Sequence, residues 1–483
     1  MRNLTLLTDL YQLTMGYGFY RHDKHEEEVV FDVFFRKNAL ITYSVFAGLE
    51  QAMDYLLHWR FDDEDIAYLR SLNLFSEDFL EYLKNMKFTG DVYAVKEGTP
   101  VFPGEPILTV KAPLIQAQFA ETALLNILNH QTLIATKSSK ICRATAGKGV
   151  VMEFGLRRAQ GPDAGINGAR AAIIGGCSST SNVIAGQMFN VPVAGTMAHS
   201  WVMDYPTEYE AFRAYANAYP DNCLLLVDTY DTLRSGVPNA IKVFKELRAE
   251  GHTPKGIRLD SGDLAYLSKK ARKMLDEAGF PEAIICVSGD LDERSINSLI
   301  QQGAKIDSWG VGTKLITSED LPALGGVYKL AAVVEKDGRV TPKIKLSDNT
   351  AKITNPGFKK LYRLYDRENG MAIADLITLR EESVDDEKPL TLFHPVETWK
   401  QHEVENFRAE ELQQTIVKEG KLVYDFPTLK EIREYSKGEL AKFWEEYLRL
   451  DVPQLYKVDL SDKLHSLKIS MIDSIRNHAK KEK

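Results

Sequence analysis

The sequence predicts an α/β protein made of an irregular (β/α) barrel, an α+β sandwich domain and a C-terminal helical extension. Three observations lead to this prediction. Short apolar runs alternate with helical stretches from about residue 149, the first part of the chain mixes both patterns, and the last part is charge-rich and helical. Strands that alternate with helices of about 10–15 residues are typical of βαβ units around a parallel sheet. Because six or more such runs follow within about 170 residues, we expect a closed barrel rather than an open doubly wound sheet.

The composition indicates a globular protein with more than one structural unit. The 483 residues are too many for one hydrophobic core, and 44% of them are hydrophobic while 27% are charged. The net charge of −8 argues against a nucleic-acid partner, whose phosphates would be repelled. A local basic pocket for a small anion is compatible with this charge, because binding depends on the local field.

We expect a cytoplasmic protein that does not associate with a membrane. The first residues contain neither a long apolar core nor a small-residue cleavage site, and no apolar run approaches the ~18 residues of a transmembrane helix. The four cysteines, Cys142, Cys177, Cys223 and Cys286, are widely spaced and form no C-x-x-C pair. We therefore expect neither a disulfide framework nor a structural zinc site.

Residues 1–131 are predicted to form the N-terminal part of the sandwich domain. Helical periodicity marks residues 47–59 and 76–87, whereas residues 28–36 and 90–113 have the β-branched and aromatic content of strands. The mixture predicts an α+β unit.

Residues 132–325 are predicted to form the barrel. Its apolar runs are VVMEFGLRR, VPVAGTMAHS, CLLLVDTYDT, GIRLDSGDL, AIICVSGDLD and IDSWGVGTKLI. After the barrel, residues 326–365 are predicted to form a β-hairpin region that returns to the sandwich domain, with its turn at Asp337 and Gly338. Residues 366–483 are predicted to be a helical extension, in which residues 428–450 show the clearest amphipathic pattern.

Polar side chains follow the apolar runs of the barrel. They are Glu153, Arg157, His199, Asp228, Asp231, Arg258, Asp260, Asp263 and Asp290. Because the active site of a (β/α) barrel lies at the carboxyl ends of its strands, we expect these side chains to meet at one mouth. The alternative is that strand ends are polar because they reach solvent.

Two glycine-containing turns predict a phosphate site. They are SGDLD, from Ser288, and GVGTKL, from Gly310, at the end of the predicted barrel. Backbone N–H groups at such turns can hold a phosphate, and barrels often bind phosphate after their last two strands.

The remaining charged residues divide by chemistry. Asp228, Asp260 and Asp290 are suited to Mg²⁺ or to sugar hydroxyls. Arg157 and Arg258 are suited to a carboxylate or phosphate, with a structural salt bridge to the acids as the alternative. The site therefore favours a phosphorylated sugar, a divalent cation and a second anion.

Motifs that occur in order along the chain add a family resemblance. They are TDLYQLTMGYGFY, FFRKN, EFGLRRAQG, GGCSSTSN, GTMAHS, VDTYDT, RLDSGDL and GVGTKL. Together they resemble the nicotinate phosphoribosyltransferases, a family of type II phosphoribosyltransferases, from the N-terminus to about residue 365. The resemblance implies an α/β sandwich joined to an irregular barrel, in a homodimer with active sites near the interface.

The resemblance also implies a reaction. Nicotinate and phosphoribosyl pyrophosphate give nicotinate mononucleotide and pyrophosphate, with Mg²⁺ as cofactor and coupled ATP hydrolysis, on the salvage route from nicotinate to NAD. The alternatives are a nicotinamide phosphoribosyltransferase and a barrel lyase or isomerase of sugar phosphates. Residues 175–186 contain no carboxylate to meet an amide, which favours the acid.

The roles implied by the resemblance fall on matching positions. Tyr11, from the partner subunit, and Phe154 would sandwich the pyridine ring. Arg258 would face the nicotinate carboxylate, with Arg157 and Thr196 nearby.

The remaining implied roles concern the ribose, the phosphates and ATP. Asp228 and Asp260 would hold ribose hydroxyls or the metal-bound pyrophosphate, and ATP would phosphorylate His199. The expected phosphate contacts are Ser288, Gly289, Asp290, Gly310, Gly312 and Thr313, with help from Arg36 and Lys329.

Overall fold

The computed structural model describes residues 3–38, 40–347, 349 and 352–481. The chain divides into two compact units. Unit 1 comprises residues 1–132, 323–428 and 434–483, and unit 2 comprises residues 133–322 and 429–433. Among the described residues, none of the helices combines the length and the apolar character that a membrane span requires.

The strands and helices follow one another along the chain in a mixed order. The strands are β1 (Glu28–Phe35), β2 (Ser44–Val45), β3 (Asp91–Val95), β4 (Pro100–Val101), β5 (Leu108–Pro113), β6 (Val150–Glu153), β7 (Ser179–Thr180), β8 (Leu224–Leu226), β9 (Gly256–Leu259), β10 (Ile284–Val287), β11 (Ser308–Val311), β12 (Gly326–Val334), β13 (Val340–Pro342), β14 (Lys359–Asp366), β15 (Ala372–Leu379), β16 (Leu390–Phe393), β17 (Gln401–Val404), β18 (Phe407–Glu411), β19 (Gln413–Lys418), β20 (Lys421–Leu422) and β21 (Val458–Leu460). The α-helices are α1 (Leu10–Arg21), α2 (Leu49–Leu57), α3 (Asp63–Ser71), α4 (Glu77–Asn85), α5 (Leu114–Phe119), α6 (Glu121–Ala144), α7 (Pro162–Ile174), α8 (Val183–Phe189), α9 (His199–Met203), α10 (Glu208–Ala218), α11 (Val237–Ala249), α12 (Leu264–Glu277), α13 (Glu293–Gln301), α14 (Thr313–Ile316), α15 (Leu429–Leu440), α16 (Glu445–Leu448) and α17 (Asp462–Lys481). Short 3-10 turns at Leu156–Arg158 and Pro220–Asn222 and a π-helical turn at Thr232–Gly236 complete the set.

The larger sheet of unit 1 has seven strands in the order β13-β12-β1-β5-β3-β19-β20. Strand β1 lies inside it and pairs antiparallel with both β12 and β5. Five consecutive residues of β1, from Val29 to Val33, are buried, which explains its nearly continuous apolar sequence. The one charged residue among them, Asp32, is paired with the buried Lys359 at 2.8 Å.

The second large sheet of unit 1 has six strands and corrects a prediction, because residues 366–483 are not a helical extension. Strands β14 to β18 and β21 form a sheet in the order β17-β16-β21-β15-β14-β18, and only the stretches around α15, α16 and α17 are helical. The charges that suggested helix lie partly on strands, as do Arg408 and Glu410 of β18, whose side chains pair at 3.0 Å. Charge content alone does not distinguish a solvent-facing strand from a solvent-facing helix.

Unit 2 contains the predicted parallel sheet, with strands in the order β7-β6-β11-β10-β9-β8. Every ladder in it is parallel, and the strands are mostly buried. The first and last strands of the unit along the chain, β6 and β11, are neighbours in the sheet, because Ser308 of β11 pairs with Val150 of β6. A bridge from Thr180 to Val193 extends the sheet beyond β7, and among the described residues no ladder joins Val193 to β8. The unit is a mixed α/β structure whose parallel strands end at one edge.

Candidate active site

At the carboxyl edge of the parallel sheet in unit 2, the structure brings together a connected group of polar side chains. The members are Thr196, His199, Asp228, Arg258, Asp260 and Ser288. All six were expected at this edge from the sequence. Their proximity follows from the parallel register, since neighbouring parallel strands end side by side.

Arg258 is the most connected member of the group. Its Nε donates to Ser288 Oγ at 2.7 Å, and one terminal nitrogen donates to Asp260 Oδ1 at 2.8 Å. The other terminal nitrogen reaches Thr196 Oγ1 and the Met197 carbonyl, both at 3.3 Å. The guanidinium is thus held in one orientation, with only 18% of the side chain exposed.

Asp260 stays ionised in spite of its partial burial. Burial by itself would raise the pKa of Asp260, but the hydrogen bond from Ser288 and the charge and hydrogen bond of Arg258 hold that pKa below its ordinary value. The Arg258 guanidinium is shared between this carboxylate and two neutral acceptors, Thr196 Oγ1 and the Met197 carbonyl.

Asp228 joins the group through the backbone. Its Oδ2 accepts hydrogen bonds from the Asp260 N–H at 2.8 Å and from the Ser261 hydroxyl at 2.7 Å. Its Oδ1 is buried and has no hydrogen-bond partner among the described residues. A buried carboxylate oxygen without a donor is suited to a ligand hydroxyl or cation.

His199 begins helix α9, and its ring contacts two other strand ends. Nδ1 lies 3.0 Å from Thr229 Oγ1, and Nε2 lies 3.9 Å from Asp260 Oδ2. The side chain is 40% exposed, so it is accessible to a substrate.

Phe154 lies directly after β6, against the glycine of β11. A Cβ on Gly310 would lie 2.5 Å from the Phe154 ring, so only glycine allows the ring this position. The Arg258 guanidinium carbon lies 6.0 Å from the centre of the same ring. A cation and an aromatic face therefore lie next to each other at the sheet edge.

Glu153 and Arg157, on either side of Phe154, have opposite environments. The Glu153 carboxylate is fully buried and accepts hydrogen bonds from Thr180 Oγ1 at 2.5 Å and from the Gly155 N–H. Burial raises the pKa of Glu153 above its ordinary value. The Glu153 carboxylate therefore stabilises the turn that follows β6. Arg157, in contrast, is exposed to solvent at the 3-10 turn.

The two glycine-containing turns lie at the ends of β10 and β11. Gly289 has φ +118°, and a Cβ there would lie 2.8 Å from the Asp260 carbonyl. Asp290 is exposed, while Gly312 and Thr313 at the start of α14 are partly exposed. Ser288, in contrast, is only 3% exposed, and its hydroxyl is committed to Arg258 and Asp260.

Two acids of the predicted series cap helical turns. Asp231 accepts from the N–H groups of Leu233 and Arg234, and Asp263 accepts from that of Tyr266. Capping is a structural role that the same residue type fills as readily as ligand binding.

The other three predicted site residues lie in unit 1. Tyr11, on α1, is 47% exposed, and its hydroxyl lies 3.4 Å from Glu121 Oε2. Burial and the charge of Glu121 raise the pKa of Tyr11. Lys329, on β12, lies 3.7 Å from the other oxygen of Glu121, and Arg36 is partly exposed directly after β1.

Sequence reasoning missed Thr229 and Ser261 as members of the site. Both directly follow a predicted acid, Asp228 and Asp260, in the motifs VDTYDT and RLDSGDL. That adjacency was the available signal, because a hydroxyl next to a strand-end acid lies within reach of the same ligand.

No group of three His, Cys, Asp or Glu side chains in the described part of the chain is arranged to hold a metal ion. Mg²⁺ commonly binds through one or two carboxylates, water and substrate phosphates rather than through an all-protein cage. The unpartnered Oδ1 of Asp228 provides a ligand of that kind. The residues present therefore fit a cation that arrives with a phosphorylated substrate.

A parallel sheet whose strand ends gather cationic, acidic and imidazole side chains defines an α/β enzyme that acts on small charged substrates. The chain matches three family models: the nicotinate phosphoribosyltransferase (NAPRTase) N-terminal domain at residues 6–129, the NAPRTase family at residues 150–369 and the nicotinate phosphoribosyltransferase C-terminal domain at residues 358–468. The chain belongs to the nicotinate phosphoribosyltransferase family.

Individual relatives extend over nearly the whole chain. Nicotinate phosphoribosyltransferase of Bacillus subtilis is 51% identical over 481 residues, which cover 99% of this chain and 97% of the relative. That of Dictyostelium discoideum is 38% identical, with 96% and 88% covered. The crystal structure of human nicotinic acid phosphoribosyltransferase is 30% identical, with a TM-score of 0.85, and the match covers 96% of this chain and 99% of the human one.

Proposed function

We propose that this chain transfers the phosphoribosyl group of phosphoribosyl pyrophosphate to nicotinate, forming nicotinate mononucleotide and pyrophosphate for NAD biosynthesis. The observation that carries the proposal is the Arg258 guanidinium 6.0 Å from the Phe154 ring centre. An aromatic face binds the pyridine ring and the neighbouring cation binds its carboxylate. The names of the relatives at 51% and 38% identity agree with this substrate.

In this reaction the pyridine nitrogen forms a bond to the anomeric carbon of the ribose as the bond to pyrophosphate breaks. Positive charge develops on the ribose ring, and the carboxylates of Asp228 and Asp260 stabilise it or hold the ribose hydroxyls. Arg258 keeps the nicotinate ring oriented for attack, with Thr196 and the exposed Arg157 beside it. Orientation of two bound substrates is the main contribution of such a site.

Apart from Ser288, whose N–H donates to the Leu259 carbonyl and whose hydroxyl donates to Asp260, the phosphate contacts remain those predicted from the sequence. The turn at Gly289 and Asp290 and the turn from Gly310 to Thr313 would offer backbone N–H groups to a phosphate at the sheet edge. Arg36 and Lys329 in unit 1 keep their predicted role as additional phosphate contacts.

Mg²⁺ is part of the proposal and would be held by Asp228 together with the pyrophosphate. When bound, it neutralises charge on the departing pyrophosphate. Support comes from the buried Asp228 Oδ1, which lacks any other partner among the described residues.

ATP is proposed as co-substrate, with His199 as the phosphoryl acceptor. The exposed ring, hydrogen-bonded through Nδ1 to Thr229, has a fixed orientation at the sheet edge. Phosphorylation would place two negative charges near Asp260 and thereby change the electrostatics of the site. ATP hydrolysis would in this way be coupled to binding of phosphoribosyl pyrophosphate.

We also propose a homodimer with a barrel in each subunit. Helix α1 exposes Leu10, Tyr11 and Met15, and helix α8 exposes Val183, Ile184 and Met188. Apolar helix faces of this kind favour burial against a second copy, which would bring Tyr11 to the partner's ring site. Closure of the parallel sheet into an irregular barrel is supported by the β11–β6 pairing and the Thr180–Val193 bridge.

A cytoplasmic location completes the proposal. Its support is that Cys142, Cys177, Cys223 and Cys286 are all free thiols, as expected in a reducing compartment.

The test is product formation from phosphoribosyl pyrophosphate and Mg²⁺ with nicotinate, nicotinamide or quinolinate, each with and without ATP. We expect nicotinate mononucleotide from nicotinate and its increase by ATP. Preference for nicotinamide would support the alternative transferase. Absence of product from all three pyridines would reject the proposed function.

A further inference from the structure

Ser288 contacts two charged residues at the end of strand β9, Arg258 within the strand and Asp260 directly after it. Its Oγ accepts the hydrogen bond from Arg258 Nε at 2.7 Å and donates its only hydrogen to Asp260 Oδ1. Its N–H donates to the Leu259 carbonyl at 2.9 Å, so the backbone is held by the same strand. Ser288 is only 3% exposed, and its hydroxyl hydrogen is already bonded to Asp260. The hydroxyl is therefore poorly placed to donate to a substrate phosphate.

The contacts of Ser288 close a triangle across two strands. Arg258 and Asp260 are two residues apart at the end of β9 and pair directly at 2.8 Å. That pair and the contacts with Thr196 and the Met197 carbonyl hold the two terminal nitrogens of Arg258, whereas Ser288 ties Nε to the end of β10. Both charged groups are thereby fixed relative to the sheet edge.

The triangle also decides which oxygen of Asp260 is available. Oδ1 accepts from both Ser288 and Arg258, while Oδ2 lies 3.9 Å from His199 Nε2. The charged and titratable groups that the structure describes around Asp260 are Arg258 at the end of β9, His199 on α9 and Asp228 after β8. Without the Ser288 hydrogen bond, the carboxylate could rotate and exchange its two oxygens.

We infer that Ser288 is a positioning residue, which orients Arg258 toward the nicotinate carboxylate and presents Oδ2 of Asp260 to His199 without touching a substrate. This inference rests on the proposed function. It replaces the direct phosphate contact that the sequence suggests for the Ser288 side chain, and the two roles predict different kinetics.

The first experiment compares Ser288→Ala with wild type in steady-state assays. We expect the Michaelis constant for nicotinate to rise on the order of tenfold, as for loss of a hydrogen bond to a charged group. The constant for phosphoribosyl pyrophosphate should rise less than that for nicotinate, because Asp260 keeps its direct pair with Arg258. A rise confined to phosphoribosyl pyrophosphate would overturn the inference in favour of direct phosphate contact.

The matched control is Ser268→Ala in the same unit. Ser268 is also fully buried and hydrogen-bonded, with its hydroxyl on the Ala265 carbonyl at 3.3 Å, but it lies on α12. It should leave both Michaelis constants unchanged. A nicotinate effect equal to that of Ser288→Ala would mean that loss of any buried serine hydroxyl is sufficient, which contradicts a positioning role.

A second readout does not depend on activity. In a crystal structure of Ser288→Ala, the Arg258 guanidinium and the Asp260 carboxylate should leave the positions in which both contact Ser288, and Ser288→Cys, a weaker donor, should show a smaller displacement. An inactive wild type whose Ser288→Ala variant shows this displacement would reject the proposed function and retain the triangle. Unchanged positions of both side chains would reject the triangle itself.

Discussion

His199 Nε2 lies 3.9 Å from Asp260 Oδ2, at the edge where the parallel strands of unit 2 end. This distance brings an imidazole close to a carboxylate that Arg258 and Ser288 already hold from the other side. A change of charge on the imidazole ring therefore changes the electrostatic potential at Asp260, which is proposed to bind ribose, and at Arg258, which is proposed to bind nicotinate.

His199→Ala should abolish stimulation by ATP and retain some ATP-independent transfer, because the phosphoryl acceptor is lost while the substrate contacts remain. The measurement is the rate of mononucleotide formation with and without ATP. His252→Ala is the matched control, since His252 has a similarly exposed ring, also bound through Nδ1 at 2.9 Å, to Asp221. Equal losses with and without ATP in His199→Ala would contradict the acceptor role.

Arg258→Ala should weaken nicotinate binding by about 2–5 kcal/mol, because it removes the partner of a desolvated carboxylate. The readout is the Michaelis constant for nicotinate, with nicotinamide measured alongside. Arg248→Ala is the control, because that guanidinium also lies over a phenylalanine ring, 3.9 Å from the centre of Phe280, on an exposed surface of the same unit. An unchanged constant in Arg258→Ala would remove this residue from the substrate site.

Gly310→Ala should impair the ring site. The new methyl group would lie 2.5 Å from the Phe154 ring, which must move, at a cost of about 1–3 kcal/mol. We expect weaker nicotinate binding and a lower melting temperature. Gly438→Ala, in helix α15 with no atom near the added methyl group, should be neutral or slightly stabilising. Normal nicotinate binding by Gly310→Ala would show that Phe154 does not contact the ring.

Asp375→Asn should destabilise unit 1 far more than Glu105→Gln. Arg363 and Asp375 are fully buried and joined by two hydrogen bonds, at 2.8 and 2.6 Å, so loss of the carboxylate leaves an uncompensated charge at about 3–5 kcal/mol. Burial and the neighbouring Asp375 raise the pKa of Glu105 well above its ordinary value. Glutamine therefore resembles the protonated form of Glu105, and Glu105→Gln should lower the free energy of unfolding by about 1 kcal/mol.

Denaturant unfolding of the Asp375→Asn and Glu105→Gln variants measures both effects. Comparable destabilisation would show that Glu105 is ionised in the folded protein.

Lys468→Met should change how stability depends on alkaline pH. Burial lowers the pKa of Lys468 to about 8, and the charge of Lys359 adds to the effect. Between pH 8 and the ordinary value of 10.5 the unfolded chain binds more protons at this amine, so the wild type gains stability relative to the variant as pH rises through that window. The full change corresponds to about 3 kcal/mol.

Unfolding free energies measured at several pH values test the Lys468 prediction. The matched control variant is Lys463→Met, on the exposed face of the same helix. A constant difference between wild type and Lys468→Met across the window would contradict the lowered pKa.

The parallel sheet and most of the candidate site were predictable from sequence. Apolar runs of four to six residues separated by helical stretches specify βαβ units, and residues that end adjacent parallel strands must meet at one edge. Arg258, Asp260, Ser288 and His199 were found in this way, and the structure connects them.

The errors and omissions concern residues whose chemistry fits two roles. Asp263 caps α12 and Asp260 faces the site, although both are aspartates in the same motif. Charged residues near Glu411 lie on a strand, although their density suggested helix. Local sequence does not separate these roles because capping, solvation and ligand binding use the same side chains.

The sequence by itself determined the alternation of strands and helices, the residue types at the strand ends and the order of the family motifs. Only the tertiary structure decided that Ser288 donates its hydrogen to Asp260, that Glu153 is buried against Thr180 and that Oδ1 of Asp228 has no hydrogen-bond partner within the described part of the chain. The reason is physical. Hydrophobic periodicity is a local property of the chain, whereas the partner of a buried polar atom depends on which distant residues the packed sheet brings within about 3 Å of it.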